Sequence, residues 1–463
     1  MSGYDLDVLV IGGGGSGGFT AATTAMRSGA RVGMAESGRL GGLCILAGCM
    51  PSKTLLHAAA ANLAAPRPPE ELYPGVLARK RQVVEFLAGK RVEAVRAKEM
   101  KGLKVFEGRA RFLDAHTLDI AGARLSAGAV VIATGSRERV PALPGLAEAD
   151  YLTAETFMEA PVLPASLIVL GGGAIALELA QYARRMGAAV TILQRGERLL
   201  SKEAPAVGEA LARALRDEGV KILTGTSLER VEAGAEGKTV FFRRGGAAER
   251  ATAAEILLAQ GRAPALEGLG LEAAGVWVER GALAVDRAMR TSVAHIFAAG
   301  DVTGVNMVVN LAVLQGEVAG ENAAKTAAGG PRPGQARLID DRVLPRAVFT
   351  DPQFARVGLS RAECEAAGLD FMEAGQELAD MGVSRTYPRP VPGFMTMRAA
   401  KGEGRILGAD LVAPEASLMI HDVAVAMKLK GTARDLADIP YIHPCLSEIT
   451  NLVAEKLARL AEG

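Results

Sequence analysis

Cysteine is scarce in this sequence, with four in 463 residues. Four thiols over that length form no disulfide framework, so the small cross-linked secreted classes are excluded. A reducing compartment is expected, with any bridge being a catalytic one. Excess charge is also missing. The formal balance is +1 with both signs mixed along the chain, which leaves no electrostatic case for nucleic acid or an anionic membrane. The first residues show no basic region followed by an apolar one, so no secretory signal is read. No uncharged apolar run reaches membrane-spanning length. These absences lead us to expect a soluble, cytoplasmic protein with no nucleic-acid or membrane partner and no resident metal.

Hydrophobic residues make up 49% and glycines number 55, which suits an α/β protein with many tight turns, and the length implies two to four domains. Residues 7–12 form a short β-branched run that breaks into the glycine cluster Gly12–Gly18. A helical stretch and a second apolar run ending at Glu36 follow. Strand, glycine turn, helix and strand closed by an acid is the context of a dinucleotide fingerprint. Two registers fit, Gly12/Gly14/Gly17 and Gly13/Gly15/Gly18. The second is preferred because it puts Glu36 eighteen residues past the last glycine. The glycines let a pyrophosphate approach backbone N–H groups at a helix N-terminus, and Glu36 can accept a ribose hydroxyl.

The pattern restarts at Ser166. Strand, Gly171, Gly173, helix and the strand Ala188–Leu193 repeat the unit, with Ala176 at the last fingerprint position. Where the first unit carries Glu36, the second carries Gln194 with Arg195 beside it. A neutral residue and a cation favour a 2′-phosphate over a free hydroxyl, so this unit reads as an NADPH site rather than an NADH site; Arg195 also suits a solvated surface charge. Residues 255–262, ending in Gly261 and Arg262, echo Val130–Gly135 in the same relative place, as a duplicated dinucleotide-binding architecture requires. The strand 295–299 ends in Gly300-Asp301, where the acid can reach a cofactor hydroxyl or simply close a turn.

Between the two fingerprints, Pro66–Pro69 breaks an alanine-rich helix. A charged helical segment is expected over about residues 76–101, short strands over 103–125, and an interdomain connection over Pro141–Pro164, which holds four prolines. The Gly/Pro-rich linker Gly329–Gly334 opens a third region. Strands near 347–357 and 394–411 frame helices around 417–429 and 449–460 there, an α+β pattern.

Two stretches carry chemistry beyond nucleotide binding. In Gly41–Lys53, Cys44 and Cys49 stand five residues apart. A straight helix would separate their Cα atoms by about 7.5 Å, outside the usual spacing of a disulfide. Bridging them needs a looped helix start, for which Gly48 and Pro51 supply freedom and a first turn. At a helix N-terminus the dipole favours a thiolate; the same two residues also suit an inert buried pair. Near the C-terminus, His443 precedes Pro444, which keeps it extended, and Glu448 lies at the final helix. That carboxylate can fix the imidazole tautomer and raise its basicity, although a histidine in this spacing also suits an ordinary turn.

Together these motifs resemble the flavin-dependent pyridine nucleotide–disulfide oxidoreductases: dihydrolipoamide dehydrogenase, glutathione reductase and mercuric reductase. The family signature G-G-x-C-x-x-x-x-G-C-x-P-S-K matches Gly41–Lys53 throughout, H-P-x-x-S-E matches His443–Glu448, A-T-G-S matches Ala133–Ser136, and the strand end G-D matches Gly300-Asp301. The resemblance implies two Rossmann-like domains and a C-terminal α+β dimerisation domain. Residues 1–150 and 271–335 would hold FAD through Gly13, Gly15, Gly18, Glu36, Gly42, Lys53, Thr134, Gly135 and Asp301. Residues 151–270 would hold the nicotinamide nucleotide, NADPH or NADH, through Gly171, Gly173, Ala176, Gln194, Arg195 and Gly261. Residues 336–463 would form a homodimer whose active site combines Cys44 and Cys49 of one subunit with His443 and Glu448 of the other. Cys49 would then face the flavin, Cys44 would be the interchange thiol, His443 would move the proton, and Lys53 would pair with Glu178 near the flavin.

Departures from the family bear on the substrate. Gln194 and Ala176 look more like glutathione and mercuric reductases than lipoamide enzymes. Ala174 replaces a bulkier gate residue, Gln260 stands in the second A-T-G motif, and Cys445 replaces the threonine after His-Pro as a filler or as an extra redox or metal-binding thiol. The chain ends at Ala458–Gly463 without the vicinal cysteine pair of mercuric reductases. The expected activity is NAD(P)H:disulfide oxidoreduction, dihydrolipoamide dehydrogenase-like, on a small or protein-bound disulfide. The alternatives are Hg(II) reduction and a flavin-bearing redox sensor with vestigial catalysis.

Overall fold

The run Leu6–Ile11 becomes a fully buried strand because its β-branched side chains face apolar neighbours on both sides, as parallel sheets require. In the computed structural model, which describes residues 3–97, 100–330 and 334–462, this strand starts the first of two compact units. The N-terminal pair, residues 98 and 99 of the charged segment, Pro331–Pro333 of the expected linker and Gly463 lie outside the described residues.

The first unit comprises the residues up to Leu55, Pro74–Val140 and Gly261–Asp341. Its seven-stranded sheet runs Lys104–Glu107, Val32–Glu36, Leu6–Ile11, Ala123–Ile132, Thr117–Ile120, Ala110–Phe112, with Ile296–Ala298 also paired to Ala123–Ile132. Pairing is parallel around Leu6–Ile11 and antiparallel from Ala123 to Ala110. Leu9, Ile11, Val130, Ile132, Phe112 and Leu118 form the core on one face, each worth about 1.5–3 kcal/mol of burial. Helices Ser16–Arg27 and Val309–Ala327 meet backbone to backbone. A Cβ on Gly316 would lie 2.3 Å from Gly17 O, and one on Gly320 would lie 2.3 Å from Ala21 O, so only glycine permits the contact.

The second unit comprises Leu56–Tyr73, Pro141–Gln260 and the chain from Arg342. A parallel five-stranded sheet runs Lys221–Leu223, Ala189–Leu193, Ser166–Leu170, Glu255–Leu258, Leu152–Thr153. An antiparallel three-stranded sheet joins Thr226–Gly234, Gly237–Arg244 and Ala247–Ala253, its Val231, Val240 and Phe242 sharing one core with Ile168 and Leu170. From Arg346 an antiparallel five-stranded sheet carries helices Ala416–Lys428 and Glu448–Glu462 over a core that includes Leu411, Ile420 and Val453. Fold class is therefore α/β, two Rossmann-like sheets followed by an α+β domain.

Two stretches differ from expectation. Pro141–Pro164 is not merely a connection: Leu152–Thr153 forms the edge strand of the second parallel sheet, and Ala154–Glu159 forms a helix. Thr153 caps that helix, its Oγ1 accepting Thr156 N–H at 3.1 Å while Thr156 Oγ1 accepts Thr153 N–H at 2.8 Å. The charged helix spans Pro69–Arg96 and starts earlier than expected, because Pro69 suits the first helical position and Glu70 and Glu71 complement the helix dipole; Pro74 lies inside it. One segment, Gly42–Ala64, has the length and mean hydropathy of a membrane span. Lys53 lies within it, and the chain breaks at Ala47–Gly48 into helices Gly42–Leu46 and Cys49–Ala64.

Candidate active site

The first glycine turn is shaped by contacts that exclude side chains. Gly12 leaves the strand at φ +79°, and a Cβ there would lie 2.4 Å from Ala133 O. A Cβ on Gly18 would lie 2.2 Å from Gly12 O, so the helix can sit against the turn only with glycine at both places. Gly15 is the N-cap of Ser16–Arg27 and makes no side-chain cap; a Cβ on it would meet nothing within 4 Å. Gly13, by contrast, faces Met34 and lacks the positive φ. The result is an open helix N-terminus whose N–H groups can receive a phosphate. Glu36, at the end of the next strand, accepts the N–H groups of Gly14 at 2.9 Å and Gly38 at 3.0 Å. Its carboxylate thus stands where a ribose hydroxyl could bond it.

Three further loops of the same unit complete this cradle. Gly42, at φ +62°, packs so closely on the turn that a Cβ would lie 2.4 Å from Gly15 Cα. Thr134 Oγ1 donates to Ala265 O at 2.7 Å, ahead of Gly135 at φ +73°. Ser136 Oγ donates to Asp301 Oδ2 at 2.6 Å and accepts from Arg262 Nε at 2.9 Å. Gly261, expected with the nicotinamide nucleotide, lies in the first unit and accepts Arg139 N–H at 3.0 Å. Gln315, not singled out from the sequence, is buried and accepts Gly300 N–H at 2.8 Å, fixing the loop that presents Asp301. Its only signal was an amide, one of three with Asn310 and Asn322, in a helix rich in small and apolar residues, Val309–Ala327. A helix N-terminus, an acid at a strand end and a second acid on an anchored loop are the donors and acceptors that a dinucleotide needs, so these residues fit FAD.

The two cysteines meet because the helix between them breaks. Gly41 at φ +136° starts the short helix Gly42–Leu46, Ala47 leaves helical geometry, and Gly48 packs where a Cβ would lie 2.8 Å from Leu43 O. Cys49 then begins a new helix, which places a positive dipole end at its sulfur. Both cysteines are free thiols. The hydrogen bond between their side chains and then burial push the Cys44 thiol well up, with Lys53 acting the other way. Cys44 therefore keeps its proton and needs a base to react.

In the second unit, His443 Nδ1 lies 2.8 Å from Glu448 Oε1. The carboxylate only accepts, so Nδ1 carries the proton and Nε2 is the basic nitrogen. Glu448 Oε2 accepts Cys445 N–H at 2.9 Å. The bond to His443 and then the Cys445 N–H hold this carboxyl below its usual range. The His443 side chain is 80% exposed, so its ring is presented outward by an anchored carboxylate.

The second glycine turn repeats the first in shorter form. Gly171, at φ +127°, would place a Cβ 2.3 Å from Ala259 O, Gly173 is the N-cap of Ala174–Arg185, and Ala176 is fully buried. Gln194 is half-buried, its Nε2 donating to Arg198 O at 3.4 Å, and Arg195 is exposed. Glu178 is buried and accepts Phe349 N–H at 2.9 Å. Lys53 lies in the first unit and Glu178 in the second.

Comparison with known proteins agrees with this architecture. Residues 6–316 match the model of the pyridine nucleotide-disulphide oxidoreductase family, and residues 344–454 match that family's dimerisation domain. A mercuric reductase of Bacillus cereus is 33% identical over 452 residues, covering 95% of this chain and 70% of the relative. A dihydrolipoyl dehydrogenase of Geobacillus stearothermophilus is 32% identical, covering 97% and 96%. Among solved structures, the HOCl-induced flavoprotein disulfide reductase RclA from Escherichia coli superposes with a TM-score of 0.84 at 28% identity, covering 97% of this chain and 99% of that one. RclA has also been solved as a Cu(II) complex. The family implies FAD and a nicotinamide nucleotide as cofactors. The duplicated nucleotide folds, the dithiol and the C-terminal domain thus have one common explanation: this chain belongs to the pyridine nucleotide–disulphide oxidoreductase family.

Proposed function

We propose that the protein is an FAD-dependent NAD(P)H:disulfide oxidoreductase, working as a homodimer, in which Cys44 and Cys49 pass two electrons to a disulfide substrate. The observation that carries this reading is the contact between the two free thiols at the start of the helix Cys49–Ala64. Bound FAD would supply two-electron transfer between a nicotinamide and this dithiol. Gly13, Gly15 and Gly18 would admit its pyrophosphate, Glu36 its ribose, and Gly42, Thr134, Gly135 and Asp301 would close around it. Lys53 would place a cation where negative charge develops. Gly171, Gly173, Ala176, Gln194 and Arg195 would serve the nicotinamide nucleotide, and the cation in place of an acid favours NADPH.

Thiol exchange then follows from the residues. The partner's His443, with Nδ1–H held by the partner's Glu448, takes the proton of Cys44 at Nε2. The Cys44 thiolate attacks one substrate sulfur, the substrate S–S bond breaks, and the departing thiolate receives that proton. Cys49 then gives its proton to the same imidazole and attacks the Cys44 sulfur of the mixed disulfide; the mixed S–S bond breaks, the Cys44–Cys49 bond forms, and the second substrate thiolate takes that proton. Two electrons and two protons have passed to the substrate. In steady-state assays with NADPH, Cys44→Ser is expected to abolish reduction of small disulfides while the flavin is still bleached; normal turnover by this variant would refute the exchange role.

A second reading, reduction of a thiophilic metal ion held between the same thiols, draws support from the mercuric reductases among the relatives. The anchored His443–Glu448 pair favours thiol exchange, because the thiolates leaving a disulfide substrate need a proton carrier and a metal ion does not. Hg(II)-dependent NADPH oxidation that survives His443→Ala, with no disulfide activity in the parent, would select the second reading.

A further inference from the structure

The loop between strand Ala189–Leu193 and helix Pro205–Asp217 carries Gln194 and Arg195, and it is fastened at two places. The first is the second glycine turn. Leu200 N–H donates to Gly172 O at 2.9 Å, and a Cβ on Gly172 would lie 2.9 Å from Gln194 Cδ and 3.0 Å from Leu199 Cδ2, so loop and turn are in direct contact. Leu200 holds φ +47°, a left-handed conformation that a leucine keeps only where its surroundings impose it. The second fastening lies outside the nucleotide fold. Glu203 N–H donates to Leu200 O at 2.8 Å, and the Glu203 carboxylate accepts from Arg356 Nη1 at 2.9 Å and from Arg346 Nη2 at 3.3 Å. Both arginines stand on strands of the C-terminal sheet, Arg346–Val348 and Gln353–Gly358. The Arg356 side chain is 2% exposed and also faces Glu363 at 2.6 Å and Asp410 at 3.5 Å, so it is a fixed post rather than a mobile surface charge.

We infer that Glu203 is a positioning residue for the nicotinamide nucleotide: by tying the loop to Arg356 it keeps Gln194 and Arg195 in place over the turn Gly171–Gly173. The turn and the helix behind it offer N–H groups to a pyrophosphate, while the loop offers its side chains to the ribose end of the same ligand. The two sets must keep one spacing to bind one molecule, and a loop released at Glu203 loses that spacing. Glu203 acts through Leu200 and the loop. The inference rests on the assignment of Gly171–Gly173, Gln194 and Arg195 to the nucleotide given above, and it deepens that assignment by placing part of the affinity in the C-terminal sheet.

The test is Glu203→Gln in the flavin-loaded enzyme. The substitution keeps size, and Arg356 keeps Glu363 and Asp410, so no buried guanidinium is left without a counter-charge. The Kd of NADP⁺ and of NAD⁺, read by isothermal titration, should each rise about 3- to 30-fold, with KM for a small disulfide and flavin content within about twofold of wild type. Glu203→Asp, which keeps the charge on a shorter stem, should recover part of the affinity. An unchanged Kd for both nucleotides, or an equal rise in KM for the disulfide, would overturn the inference. Amide hydrogen exchange of wild type gives a result that needs no variant to fold. Saturating nucleotide should slow exchange of Leu200 N–H as well as of the N–H groups that open the helix Ala174–Arg185. Protection of the helix start alone would overturn the inference and leave the nucleotide assignment intact. Protection at neither place would remove the assignment and this inference with it.

Discussion

Replacing Glu448 with glutamine keeps shape and removes one charge, and the two bonds of this side chain determine the consequence. Glu448 accepts from His443 Nδ1 at 2.8 Å and from Cys445 N–H at 2.9 Å. A glutamine has one acceptor and one donor for these two donors. If its oxygen stays on the backbone N–H, its NH₂ faces His443 and forces the Nε2–H tautomer, which cannot take a proton from Cys44. If it turns over, the Cys445 N–H loses its acceptor at a cost of about 1–3 kcal/mol. The reactive tautomer is thus reached only through an unfavourable arrangement, and loss of a proton carrier typically costs 10²–10⁴-fold. We expect kcat for disulfide reduction to fall about 100-fold at neutral pH with KM within about twofold, read by stopped-flow oxidation of the pre-reduced enzyme with a small disulfide. Folding stability should fall by no more than about 1 kcal/mol, because the pair faces solvent. The sign of the pH effect follows from the lowered carboxyl of Glu448. Its stabilisation is complete above the ordinary value of 4.5 and disappears as pH falls through the lower folded value, so the wild-type advantage over Glu448→Gln should vanish in acid. An exchange rate unchanged in Glu448→Gln would refute the assignment of the tautomer and of the base.

Two other substitutions test the nucleotide sites. Gly18→Ala places a Cβ 2.2 Å from Gly12 O, so the helix must withdraw from the turn; flavin content after purification should drop sharply, with about 1–3 kcal/mol lost in unfolding experiments. Full flavin content in that variant would contradict the placement of the pyrophosphate. Arg195→Ala should lower the ratio of kcat/KM for NADPH over NADH by about tenfold or more, and the effect should shrink with added salt. A strong NADH preference in the parent that survives this substitution would contradict the phosphate role of Gln194 and Arg195.

Much of the architecture was legible because it is written locally. Each nucleotide fold announces itself by a β-branched strand, glycines and an acid or amide at a fixed distance. The register of the first turn was not legible, since four consecutive glycines fit more than one frame. The positive φ falls at Gly12, while Gly15 caps the helix, so this loop is one residue longer than that from Gly171 to Gly173. The meeting of Cys44 and Cys49 was legible in part: regular helix geometry sets them apart, Gly48 and Pro51 pointed to a looped start, and the packing of Gly48 against Leu43 O shows where the helix restarts. Proline content misled at Pro141–Pro164, where a strand pairing with Leu257 and Leu258 overrides local composition. Gln315 carried no motif, since its meaning comes from the Gly300 N–H that it accepts.

On the exchange reading, Cys44 and Cys49 shuttle between dithiol and disulfide under nicotinamide nucleotide control. Counting alkylated cysteines in the denatured protein by mass spectrometry tests it directly. Of four cysteines, Cys364 and Cys445 should label in the air-oxidised enzyme, and all four should label after anaerobic reduction with NADPH. Four labels in both states, or two new labels at any other pair, would contradict the account.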